Sequence, residues 1–150
     1  MKTLGITLAA AFTWLLMAAA SPASAQFSIL PYPTEYDIPG PILGFKDATA
    51  YVRWMGCDAR VVMWDTEQVN AMYSPSYNLI AIYRGLWDVS SPEERATVLA
   101  HEAGHCVQQK PVPWITSRRD AEYAAEGHAH AILRTLGYNA DSIILNLRIM

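Results

Sequence analysis

Basic residues are in the minority. The 150-residue sequence holds eleven Lys and Arg against fourteen Asp and Glu, a net charge of −3. Nucleic-acid-binding domains normally show a basic face, and anionic membrane surfaces attract basic clusters, so neither partner is expected. Cysteine is scarce, with only Cys57 and Cys106. At most one bridge can form, and spacing alone does not show whether the two sulfurs meet or remain buried free thiols. Internal repeats and low-complexity linkers are missing, and the length suits a single domain. No second long apolar segment follows the one at the start of the chain, so a soluble mature protein is expected after removal of that segment.

What the sequence does contain begins with that segment. Lys2 gives a positive start, Leu4 to Ala20 is apolar apart from Thr7 and Thr13, and Ala23-Ser24-Ala25 supplies a small-x-small cleavage site. The run approaches the ~20 residues needed to span a bilayer, so a membrane anchor is the competing reading. Pro22 and the small residues before Gln26 favour a cleaved export signal over residues 1–25 and a periplasmic or secreted protein. No Cys follows the run, so no lipid attachment is expected. Removing Lys2 leaves ten basic against fourteen acidic residues, net −4. An oxidising compartment permits a Cys57–Cys106 disulfide.

Residues 26–44 carry Pro31, Pro33, Pro39 and Pro41, a density that blocks helix and central strand and predicts an extended arm. Residues 45–150 form the main domain. Ala48, Val52 and Met55 recur at helical steps over Phe45–Gly56. Arg60–Trp64 reads as a short strand. Asn70–Tyr73 and Tyr77–Tyr83 flank a Ser-Pro-Ser turn and predict a hairpin. Ser91-Pro92-Glu93-Glu94 announces a helix with a capping box and Pro at its first position. That helix runs to about Gln109, before Pro111 and Pro113. A second starts near Ser117 or Asp120 and runs to Leu136, closed by Gly137. The apolar tail from Asn139 to Met150 predicts a last short helix.

The first of these two helices contains His101-Glu102-Ala103-Gly104-His105. At about 100° per residue, His101 and His105 lie about 40° apart and one turn apart on one face. Two imidazoles so placed can grip one tetrahedral zinc ion. Glu102 sits beside the metal without being aimed at it, where a carboxylate can take a proton from a metal-activated water. Val98, Leu99, Cys106 and Val107 flank the motif, so the two histidines sit in a buried stretch, and a metal is the commonest reason for such a pair.

A catalytic zinc needs a third protein ligand and an open position. The next helix offers Glu122, Glu126, His128 and His130. His128 faces away from Glu122, and His130 lies roughly 12 Å further along the axis. Glu122 and Glu126 share a face. One of them is the best ligand, and the other can hydrogen-bond a ligating histidine.

Several segments in order resemble one family: Asn70-Ala71-Met72-Tyr73, Asn78 to Tyr83, Arg84-Gly85-Leu86, the Ser91 capping box, the His-Glu-Ala-Gly-His helix, then Glu122-Tyr-Ala-Ala125-Glu126 and Leu136-Gly137-Tyr138. They resemble the catalytic core of the gluzincins, above all the CAAX-prenyl-protease and HtpX-like metallopeptidases, over roughly residues 60–138. The resemblance implies that Glu122 is the third ligand and that Glu126 stands where the family has an Asp, keeping the charge on a longer arm. The family's spanning helices have no counterpart here, and its oxyanion-holding residues have no clear match. Tyr123, His128, His130, Arg134 and Tyr138 are the candidates.

The expected fold is therefore α+β and zincin-like, a small, mostly antiparallel sheet packed on the zinc helix and the glutamate helix. The expected function is a zinc-dependent endopeptidase with Glu102 as general base. Its peptide or protein substrate would add as a strand along residues 78–83, taken as the sheet edge. A zinc-stabilised binding protein without catalysis, and a zinc hydrolase of a non-peptide bond, are the rival readings. Trp54, Trp64, Trp87 and Trp114 are expected in the core more often than in a substrate groove. Oligomeric state leaves no trace in the sequence.

Overall fold

The computed structural model describes residues 33–108 and 117–141, all within the unit Tyr32–Met150. The expected export signal, the first part of the arm, Trp114 and the tail beyond Asp141 lie outside the described residues.

The later part of the arm is extended. Glu35–Tyr36 (β1) pairs antiparallel with Met63 and Trp64 of Arg60–Trp64 (β2). The Arg60 guanidinium donates to the Glu35 carboxylate at 2.9 Å and holds that carboxyl below its usual range. Between them, Ala48–Trp54 forms α1. Asp47 caps it by accepting from the Ala50 N–H at 2.7 Å, which starts the helix later than the periodicity from Phe45 suggests. Gly56, at φ +91°, takes the left-handed conformation that turns the chain away.

The expected hairpin forms. Ala71–Ser74 (β3) pairs antiparallel with Leu79–Tyr83 (β4) through a 3₁₀ turn at Pro75–Tyr77. Asn78 sits at φ +46°, a conformation Asn tolerates better than most residues.

The sheet order is β1-β2-β4-β3, and β2 and β4 run parallel. The sheet is therefore mixed, not mostly antiparallel. This also corrects the placing of residues 78–83, because β4 is an interior strand bonded on both sides and β3 forms the edge. The reason is that the hairpin folds inward: β3 passes to the outside and β4 fills the place beside β2. Arg-Val-Val-Met-Trp and Leu-Ile-Ala-Ile-Tyr are near-continuous apolar runs, as strands covered on both faces should be. On one face Ile80, Ile82, Val61 and Met63 pack with Tyr51, Val52, Leu99 and Ala129 of the helices. On the other, Val62, Leu79 and Ala81 pack with Trp64, Met72 and Tyr83.

A short helix, Arg84–Val89 (α2), follows β4 directly and was not anticipated. Its Gly85 lies against the backbone of Glu67, where any side chain would collide, and its N–H donates to the Thr66 carbonyl at 2.9 Å.

The two long helices start where expected. Pro92–Val107 (α3) opens with a full capping box, the Ser91 hydroxyl accepting from the Glu94 N–H and the Glu94 carboxylate from the Ser91 N–H. Arg118–Thr135 (α4) is capped by Ser117, which accepts from the Asp120 N–H. Each cap of this kind contributes about 1 kcal/mol. Ala140 and Asp141 are helical, and the rest of the expected last helix lies outside the described residues.

Cys57 and Cys106 are bonded, closing a separation of 49 residues. In the chain-entropy account a loop of that length stabilises by about 4 kcal/mol. The bond ties the entry of β2 to the residue after His105. Among the described residues no helix is long and apolar enough to cross a membrane.

Candidate metal centre and cleft

Helix α3 carries His101 and His105 on one face, and their Nε2 atoms come within 3.2 Å of each other. Glu122, in the second turn of α4, brings Oε2 to 3.3 Å from His101 Nε2 and 3.4 Å from His105 Nε2. The three donor atoms form a nearly equilateral triangle. Donors around a tetrahedral zinc ion at 2.0–2.1 Å lie about 3.3–3.4 Å apart, so the donor set fits that ion in chemistry and in spacing. Burial holds the His101 imidazole below its usual pKa, and His105 beside it acts the same way, while the charges of Glu122 and Glu126 oppose them. A neutral imidazole is the form that ligates.

The α3–α4 crossing sets this triangle. Gly104 lies against Ala125, and a Cβ on Gly104 would stand 2.8 Å from the Ala125 Cα and 3.1 Å from its carbonyl oxygen. Glu122 is three residues from Ala125, so helix separation and donor separation are coupled. Gly104→Ala should therefore cost about 1–3 kcal/mol through overpacking and weaken zinc binding as Glu122 moves outward. Thermal unfolding and chelator competition would measure both, and unchanged zinc affinity would refute the coupling.

Glu102 is buried, at 8% exposure. Burial pushes its carboxyl up to about 7, against the pull of a hydrogen bond from the Tyr73 backbone N–H, and the Glu122 charge adds to the rise. That hydrogen bond joins the metal helix to the edge strand. The Tyr83 N–H donates to the Asn70 carbonyl at 3.0 Å, and Ala71 stands opposite Ile82 and Tyr73 opposite Ile80. Antiparallel pairs alternate in the direction of their backbone groups, so those of Ala71 and Tyr73 point outward from the sheet. The Tyr73 N–H meets Glu102, and the Asn70 side chain accepts from the Ala71 N–H at 2.9 Å.

Between strand and helices lies an open cleft of about 590 Å³. Its walls are Asn70–Tyr73 and Pro75 on one side and Arg118 and Glu122 on the other, with His101, Glu102 and His105 as its floor.

Of the residues picked out from sequence, His101, Glu102, His105 and Glu122 meet in this cleft. Glu126 is half-buried one turn beyond, near enough for its charge to act on His101. The oxyanion candidates do not line the cleft. Tyr123 stacks under Arg119 at the surface, and His130 and Arg134 pair with Asp141. His128 buries its Nε2 without a hydrogen-bond partner, and Tyr138 acts on Tyr51. The described tryptophans are elsewhere too: Trp54 packs on Phe45, Trp64 on Tyr83, and Trp87 under Arg95. Arg118 was missed. Its signal was its place four residues before Glu122, on the same helix face.

These features bring His101, His105 and Glu122 together as a group that could hold a metal ion, beside a buried acid and an edge strand. The family model described as Peptidase family M48 matches residues 57–118. The matched span runs from Cys57 through β2, the hairpin and α3, contains His101, Glu102 and His105, and ends before Glu122. Over that span the chain is similar to a family of peptidases. No curated protein matches the chain.

Proposed function

We propose that the protein is a zinc-dependent endopeptidase. The observation that carries this reading is the triangle of His101, His105 and Glu122 with Glu102 buried beside it in a cleft bordered by an edge strand. The similarity of residues 57–118 to Peptidase family M48 supports it.

His101, His105 and Glu122 would hold the ion. When bound, zinc supplies Lewis-acid chemistry, acidifying a water and polarising a carbonyl. The protein's own residues do the rest. Glu102 takes the proton of the attacking water and later delivers it to the leaving amine. The Tyr73 N–H fixes the orientation of its carboxylate. The substrate lies extended along β3, where the outward carbonyls of Ala71 and Tyr73 can accept strand-like hydrogen bonds, their N–H groups being turned to the Asn70 side chain and to Glu102. This moves the docking strand from β4 to the true edge. Glu126 stands one turn beyond Glu122 with its charge close enough to act on His101, the position of a group that supports a ligand without being one. The Cys57–Cys106 bond suits an oxidising compartment and so supports export.

Purified protein should cleave members of a peptide library, lose that activity with a chelator and recover it with zinc. Zinc bound without cleavage would favour the structural-binding reading. Cleavage of ester or amide substrates but no peptide would favour a different hydrolase.

A further inference from the structure

We propose that Arg118 is a specificity-determining residue that binds a carboxylate of the substrate within about two residues of the scissile bond. The inference rests on the peptidase reading and deepens it.

Arg118 lines the cleft with the three donor residues and Glu102. Among the described lining residues it is the one Lys or Arg. It is exposed, and no described carboxylate lies within ion-pair distance of its guanidinium. The acid one turn along its own face, Glu122, turns instead to the two imidazoles. Its neighbour Arg119 is differently placed, with its guanidinium over the Tyr123 ring and hydrogen-bonded to the Tyr123 hydroxyl at 3.1 Å. Arg118 therefore has the cleft as its surroundings and no described acid as partner.

Its position is also unfavourable for the helix. Arg118 opens α4, where the helix field is positive and a cation costs about 0.3–1 kcal/mol. A cation there is compensated when an anion enters the cleft. Asp120 shares the first turn of α4 but does not line the cleft, and within the cleft Glu122 is turned to the two imidazoles and Glu102 to the Tyr73 N–H, so an anionic group of the substrate is the partner that the cleft leaves for Arg118.

The distance from the reacting centre follows from helix geometry. Four residues separate Arg118 from Glu122, about 6 Å along the axis. An extended peptide advances about 3.3–3.6 Å per residue. A guanidinium one turn from the third donor thus reaches a substrate group about one or two residues from the bond cut. Arginine suits a carboxylate there because its planar fork can donate two parallel hydrogen bonds. The carboxylate has two possible sources, an Asp or Glu side chain within a longer chain, or the free C-terminus of a short one.

The experiment compares peptides cleaved by the zinc-loaded full protein. One arm replaces Glu by Gln at each of two positions on either side of the cut. The other amidates the C-terminus. At one position Glu should be preferred over Gln by about tenfold or more in kcat/KM, as expected for a hydrogen bond between charged groups. If amidation has that effect instead, the terminal carboxylate is the ligand. Arg118→Ala should reduce the preference to about twofold or less, Arg118→Lys should keep part of it, and Arg118→Glu should reverse it toward Lys. A merely structural role would lower cleavage of all peptides together and leave the ratio intact. Binding of the same fluorescent peptides to Glu102→Gln protein gives a readout without turnover, and the same ratio should appear there. If wild-type protein cleaves all pairs equally, or Arg118→Ala keeps the preference, this proposal alone is overturned. If no peptide is cut, the peptidase reading falls and this one with it.

Discussion

Glu102→Gln should lower peptide cleavage by about 100- to 10,000-fold, the usual contribution of a general acid–base group, while zinc content and thermal stability stay close to wild type. The argument is geometric. Glu102 is not one of the three clustered donors, so its loss should leave the triangle unchanged. It lies in the cleft floor between His101 and the edge strand, with its carboxylate held by the Tyr73 N–H. Glutamine has nearly the same size and keeps an oxygen able to accept that hydrogen bond, but its amide cannot take a proton. The substitution therefore removes one capacity and preserves the packing of a buried side chain. Zinc analysis, a melting curve and a cleavage assay on one preparation would separate the outcomes. Zinc lost together with activity would make Glu102 a residue that holds the metal site together. Full activity would assign the base elsewhere.

Local features of this site were legible in the sequence, and features set by distant packing were not. The His101–His105 pair depends only on helix periodicity, and the Ser91 capping box places that helix unambiguously. The hairpin was legible because Ser74-Pro75-Ser76 separates two strand-like runs. Glu122 and Glu126 share a face, so periodicity could not choose between them. The choice depends on where α4 crosses α3, and Glu122 is the one whose carboxylate oxygen comes to 3.3 and 3.4 Å from the two imidazoles. The resemblance to a family pointed to Glu122 before that contact was visible. The sheet edge was misplaced for the same reason. Strand order is non-local, and only the unbroken apolar runs of β2 and β4 hinted that both are central. Helix α2 has six residues and no side-chain cap, so it left no signal that periodicity could detect. Arg118 needed both the start of α4 and the position of the cleft.

His101→Ala and His105→Ala should each abolish stoichiometric zinc binding. Each removes one corner of a triangle with sides of 3.2, 3.3 and 3.4 Å, and alanine leaves no donor within reach. Among the described residues no other group of three His, Cys, Asp or Glu side chains is assembled to hold an ion. Glu122→Gln should weaken binding much more than Glu126→Gln, because Glu122 supplies a donor atom and Glu126 only a nearby charge. The effect should also appear in stability. A ligand that binds only the folded state, at a hundredfold excess over its Kd, stabilises by about 3 kcal/mol, so added zinc should raise the melting temperature of the wild type by several degrees. It should raise that of the two alanine variants little or not at all. Because the Cys57–Cys106 bond and the α3–α4 packing remain in every variant, the metal-free proteins should still unfold cooperatively. Elemental analysis and chelator competition would provide the affinities. Stoichiometric zinc in either alanine variant would show that the triangle is not the metal site, and a larger loss from Glu126→Gln than from Glu122→Gln would move the third donor one turn along α4.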